Sequence, residues 1–168
     1  MKHKQNMQKL LVVTAMMVTM SGGMMTARAA IKEGVEFTDK VRVEGAELTL
    51  NGIGIRLATV LRFKVYVAAL YVPQKSSDAT VLLQSPGVKR LQLAFLRSVT
   101  KDRLREAWLE GFMNNCLVDC KEQLKFINEL NKEMVNMKRG DRMVFSVFDN
   151  RVEADIRDKQ VVFRDPQF

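Results

Sequence analysis

Few residues in this chain could do reactive chemistry, and those few are easily located. The only histidine is His3 and the only cysteines are Cys116 and Cys120. His3 stands in a segment that reads as an export signal, so the domain that follows has no histidine. Ser-His-Asp and Cys-His nucleophilic schemes are then excluded, as are histidine-ligated metals, because no other side chain has an unperturbed pKa near neutrality. No metal and no cofactor is expected. The cysteine spacing of four is neither a redox C-x-x-C motif nor half of a zinc pair. On the helix expected here it puts both thiols on one face, where ideal geometry places the two Cβ atoms poorly for a disulfide. Two buried small apolar side chains are the first expectation, and a disulfide in an oxidising compartment is the alternative. Arg139-Gly140-Asp141 is a tripeptide that some adhesion receptors read, but a glycine between charged residues predicts a turn before a strand.

The amino terminus has the three-part pattern of a secretory signal. Lys2, Lys4 and Lys9 precede an apolar run from Leu10 to Met20, and Ala27, Arg28 and Ala29 follow in small-x-small order. That run is eleven residues long, whereas a membrane-crossing helix needs about 20. Residues 1–29 are therefore expected to be a cleaved signal peptide, leaving no stable membrane anchor and a periplasmic or secreted domain over 31–168. The segment carries Lys2, Lys4, Lys9 and Arg28 and no acid, so without it the formal charge falls from +8 to +4. The remaining cations are scattered among acids, which argues against a nucleic-acid footprint. Seven of the eleven methionines also leave with the signal; Met113, Met134, Met137 and Met143 read as core gap-fillers.

The elements that must position any site can be read from periodicity. From Ile31 to Val72 the pattern is short-period and β-branched, broken by Gly34, Gly45, Gly52 and Gly54, which predicts strands and tight turns. Phe63 to Val72 is nearly all apolar apart from Lys64, as in a strand covered on both faces. Ser76 or Ser77 can cap a short helix through Leu83. Val88 to Arg97 sets Leu91, Leu93 and Phe95 against Arg90, Gln92 and Ala94, a half-buried strand. Thr100 caps a helix whose stripe runs Leu104, Trp108, Gly111 or Phe112, and Asn115. A second helix is predicted over Lys121 to Met137, on Leu124, Ile127, Leu130 and Met134. Three antiparallel strands follow: Met143–Phe148, Val152–Ile156 and Gln160–Phe163. Strands, helices, then strands again imply one α+β domain, with helices on one face of an antiparallel sheet.

Two stretches give the sequence its specific character. Leu50-Asn51-Gly52-Ile53-Gly54-Ile55-Arg56 is followed by Lys64-Val65-Tyr66-Val67-Ala68-Ala69-Leu70-Tyr71-Val72-Pro73. Farther along comes Trp108-Leu109-Glu110-Gly111-Phe112-Met113-Asn114-Asn115-Cys116. Together and in order they resemble the bacterial exported branch of the chalcone isomerase family, and the resemblance extends over roughly Gly34 to Phe163. It implies an open-faced β-sandwich, in which a large antiparallel sheet and a layer of helices enclose a cleft for a hydrophobic ligand. Plant enzymes of the family close a chalcone to a flavanone by intramolecular attack of a phenolate on an enone, and related plastid members bind fatty acids. Both use an arginine that reaches the anionic end of the ligand.

Carried over position by position, that arginine falls on Arg56, where a guanidinium would pair with a carboxylate or phenolate. The family's catalytic threonine falls on Tyr66, bulkier but still a hydroxyl. Its helix tyrosine falls on Trp108, whose indole can stack and donate one hydrogen bond but has no hydroxyl. Its asparagine falls on Asn115. The relatives' glycine-bearing turn and final amphipathic helix have no counterpart after Phe168, so the domain is expected to be C-terminally short. The resemblance thus implies Arg56, Tyr66, Trp108 and Asn115 as ligand-binding residues for a small hydrophobic anion such as a fatty acid, in a non-catalytic protein. The alternatives are an isomerase of the intramolecular lyase class using Arg56, Tyr66 and Asn115, and a structural or assembly protein of the envelope with a protein partner still to be identified.

Overall fold

The computed structural model describes residues 29–58, 61–116 and 120–164. The expected export signal lies outside them except for Ala29. β1 (Ala29–Lys32) and β2 (Val35–Thr38) form a separate hairpin, and β3 (Lys40–Val43), β4 (Ala46–Ala58) and β5 (Phe63–Val72) begin the main sheet. α1 (Ala79–Gln84) precedes β6 (Lys89–Phe95); α2 (Lys101–Asn115) and α3 (Cys120–Glu133) follow it. β7 (Arg142–Val147), β8 (Arg151–Ile156) and β9 (Lys159–Arg164) complete the chain. The seven strands β3 to β9 lie in sequence order in one curled antiparallel sheet, each paired with its neighbour in the chain. This is the expected α+β architecture.

Local chemistry explains the turns. Glu33-Gly34 and Glu44-Gly45 each link a two-residue hairpin with positive φ at both positions (52° and 75°, 46° and 85°). That is the mirror-image turn whose twist suits paired strands and whose second position favours glycine. Gly52 and Gly54, expected to break strands, instead lie inside β4. The register slips between Leu50 and Gly52, leaving Asn51 as an inserted residue whose Oδ1 accepts from Ser76 N–H at 2.9 Å. Glycines within a strand commonly mark such bulges and bare patches of sheet.

Two covers lie on opposite faces of the sheet and are offset from one another. On one face, Leu104 of α2 and Leu130 of α3 join Leu93, Phe95, Met143, Phe145, Val152, Ala154, Ile156 and Phe163 in a core over β6 to β9. On the other, Phe37 of the β1–β2 hairpin packs with Val43, Leu48, Leu50, Val67, Ala69 and Tyr71 over β3 to β5. The fully buried Tyr71 fastens that hairpin by donating from Oη to Thr38 O at 3.0 Å. Lys64 ties its turn through both Glu33 carboxylate oxygens at 2.8 Å.

Three helix details depart from the sequence reading. Asp78, not Ser76 or Ser77, caps α1 by accepting from Thr80 N–H at 2.8 Å, because Ser76 is drawn onto Asn51. α3 stops at Glu133, since Met137 leaves the helix to exchange two 2.9 Å backbone hydrogen bonds with Val99. Cys116 caps α2 in an extended conformation and Cys120 opens α3, so the cysteines do not share one continuous helix, and they are joined as a disulfide with Cα atoms 5.8 Å apart. Two free, buried thiols are thereby ruled out. Ending α2 at Cys116 removes the rigid helical spacing that made a bridge unfavourable, and the Cα separation lies within the ordinary disulfide range.

Candidate functional site

Side chains directly opposite in paired strands share a face, so the register assigns the site residues to rows. Arg56 faces Tyr66, which faces Phe95; Gly54, Ala68, Leu93 and Met143 form the next row; Gly52, Leu70, Leu91 and Phe145 form the third. Tyr66, Ala68 and Leu91 all pack against the helix-side core. These rows therefore lie on the face that the helices cover over β6 to β9. Their β4 members, Gly52, Gly54 and Arg56, are exposed, and Tyr66, Ala68 and Leu70 of β5 are half-buried. A Cβ placed at Gly52 or Gly54 would meet nothing within 4 Å. The result is an open strip, floored by small residues and walled on one side by the helix-covered core.

Arg56 and Tyr66 close one end of this strip. Among the described residues neither the guanidinium nor the phenol has a hydrogen-bond or ion-pair partner. The Tyr66 ring packs edge-on to Phe95, with centroids 5.6 Å apart. Burial pushes its pKa above the ordinary tyrosine value, and the Arg56 cation offsets part of that rise. At neutral pH the group is thus a protonated hydroxyl beside a permanent cation, both free to donate. Such a pair suits an incoming carboxylate or phenolate, which accepts from both in charge-assisted hydrogen bonds.

The other two expected site residues sit farther along the same side. Trp108 is half-buried and meets Phe145 edge-on, with centroids 5.4 Å apart, placing it over the third row and not over Arg56. Asn115 lies two turns beyond on α2. Its side chain is exposed and donates from Nδ2 to Gly111 O of its own helix at 2.6 Å. Arg56 and Tyr66 are brought together, whereas Trp108 and Asn115 are strung out along the helix. Two cavities lie elsewhere. One of about 500 Å³ is lined by Asn51, Lys75, Ser76, Ala79 and Leu82 near α1. Another of about 300 Å³, on the outer face of β6 to β9, is lined by Arg90, Ser146, Glu153, Asp155 and Gln160. Among the described residues no group of three or more His, Cys, Asp or Glu is placed to hold a metal ion.

What the sequence reading missed is the role of Gly52 and Gly54. Gly52, Gly54 and Arg56 follow one another at intervals of two, the strand period, which places all three on one face. The alternation is visible in the sequence, but glycines so spaced equally suit turns between short strands.

Comparisons with known proteins bear on the fold and the family. A search of curated protein sequences finds no match. Among solved structures, a fatty-acid binding protein of Arabidopsis thaliana superposes with a TM-score of 0.61 at 13% identity, over 82% of each chain. At that identity the likeness concerns the fold alone. The family model for chalcone isomerase-like domains matches residues 29–162, from β1 into β9, and this protein belongs to that family.

Proposed function

We propose that this protein is a non-catalytic carrier that holds a small hydrophobic anion, such as a fatty acid, along the open strip over β4 and β5. The observation behind this reading is the cross-strand pair of Arg56 and Tyr66, two donors without partners beside a floor of Gly54 and Ala68. The pair would hold the charged end, and the Gly52 and Leu70 row would receive the apolar remainder. Each methylene buried there contributes roughly 0.8 kcal/mol, so affinity needs no catalytic group. The structural relative named above is itself a fatty-acid binding protein, which favours the same ligand class. Native mass spectrometry of protein from its own host tests the reading. A lipid adduct that vanishes in Arg56→Ala supports it, and an adduct that survives that change, or none at all, sinks it. Loss of a chalcone's visible absorbance faster than in buffer would instead favour the lyase.

The carrier is proposed to act after export, with residues 1–29 as the signal. The Cys116–Cys120 disulfide supports this, because such bonds persist in oxidising compartments and are rare in the cytosol. Amino-terminal sequencing of the mature protein should begin at Ala30.

A further inference from the structure

The end of the sheet beside Arg56 has a composition that the binding strip does not require. Leu61, in the turn before β5, and Phe63, the first residue of that strand, are 72% and 45% exposed. Arg62 lies between them with φ of 53°, in the left-handed region. The Arg97 guanidinium lies over the Phe63 ring, 4.9 Å from its centroid. Gly140 N–H donates to Phe95 O at 2.8 Å, which brings Arg139 to the same edge, one strand on. Among the described residues Arg56, Arg62, Arg97 and Arg139 have no carboxylate partner. Two acids close in sequence to these residues or their partners are already engaged: Glu33 by Lys64 at 2.8 Å, and Asp141 by Arg157 at 3.5 Å.

Uncompensated arginines surrounding two exposed apolar side chains complement an anionic bilayer. Guanidinium groups bind phosphate in a fork and shed water more readily than ammonium groups. Leucine and phenylalanine gain by entering the headgroup boundary, and cations nearby are drawn to its negative potential. We propose that this end is a membrane-docking surface. Leu61 and Phe63 enter the interface while Arg62, Arg97 and Arg139 meet lipid phosphates. Docking here sets the Arg56 end of the strip against the bilayer, so that the carrier loads from the membrane and not from water; this last step rests on the function proposed above.

Vesicle flotation of the full chain tests the surface, with vesicles of equal parts phosphatidylglycerol and phosphatidylcholine compared with phosphatidylcholine alone. Residues 1–28 are common to every variant, so differences between variants belong to the patch. Arg62→Glu combined with Arg97→Glu should weaken binding to the anionic vesicles by at least about fivefold for each arginine lost. Leu61→Ser combined with Phe63→Ser should weaken it about tenfold, and high salt should weaken the wild type. Equal binding to both vesicle types, or binding unchanged in both double variants, overturns the proposal. Displacement of a fluorescent fatty acid in vesicle-free buffer separates the two ideas. If the double variants still bind it normally, their loss on vesicles is a docking effect, whereas an Arg56→Ala protein that still binds it refutes the strip and leaves docking standing.

Discussion

Arg56 and Tyr66 face one another directly across β4 and β5, close enough that the guanidinium draws down the pKa of a phenol that burial pushes up. A cation and a protonated hydroxyl then approach the same anion from adjacent strands. Arg56→Ala should weaken fatty-acid binding by roughly 10- to 100-fold, the range of a hydrogen bond to a charged group, and Tyr66→Phe by about three- to tenfold. Titration with a fluorescent fatty acid measures both, and equal affinity in Arg56→Ala would remove the site. Arg56 is exposed, so the melting temperature of that variant should stay within a degree or two of the wild type.

Gly54→Leu separates space from charge. The added Cβ meets nothing within 4 Å, so stability should change by no more than about 1 kcal/mol. The leucine would nevertheless occupy the strip beside Ala68. Fatty-acid affinity should fall at least about tenfold, equivalent to about 1.4 kcal/mol. A variant that folds and binds as before would mean that the ligand lies elsewhere.

Trp108 has a different part to play. With its ring edge-on to Phe145 in the helix-side core, Trp108→Ala should cost roughly 3 kcal/mol in urea unfolding followed by circular dichroism. At temperatures where that variant is folded, its ligand affinity should change less than that of Arg56→Ala. Because this is the only tryptophan, its fluorescence in the wild type reports the α2 contact with the sheet.

Joining Cys116 to Cys120 closes a very short loop between α2 and α3. Loop-closure entropy at that length amounts to roughly 2 kcal/mol, so reduction or the paired change to serine should lower stability by about that much without unfolding the domain at room temperature. A loss above about 4 kcal/mol in urea unfolding would show that the bond also holds the helices onto the sheet.

Alkaline pH should destabilise the fold in a specific window. Tyr66 and Tyr71 both have pKa values raised above 10.0, chiefly by burial. The unfolded chain therefore gives up these protons at lower pH than the folded one. The contribution is fully present below about pH 10 and is lost as pH rises through the folded values. Urea midpoints measured from about pH 9 to 11 should fall less steeply in Tyr66→Phe than in the wild type. Equal slopes would contradict the burial of that hydroxyl.

Much of this architecture could be read from residue order alone. β5 spans Phe63–Val72 as its apolar run predicts, and β6 divides Leu91, Leu93 and Phe95 from Ala94 between the two cores. Thr100 caps α2 through Arg103 N–H, as its position suggests. What resisted reading was set by tertiary partners. Periodicity continues past Glu133, but the Val99 backbone claims Met137. The bulge at Asn51 is harder still. Leu50 and Gly52 have the same parity, yet Leu50 belongs to the hairpin-side core and Gly52 to the open strip. A shift of one residue moves every later side chain of a strand to the other face. Arg56 faces the strip because of that slip, and resemblance to known relatives indicated its role where alternation counted from Leu50 would have placed it among the hairpin contacts.

The order of the seven strands bears on how the molecule is built. Each pairs with the strand that follows it in the chain, and only the β6–β7 step encloses a pair of long helices. Closing short loops costs little entropy, so hairpins can zip together one after another as the polypeptide emerges. The slow event should then be the last one, when β7 to β9 arrive to give α2 and α3 a floor. Until that moment Leu104 and Leu130 have only part of their eventual surroundings, and a chain threaded through a narrow channel would expose them longest.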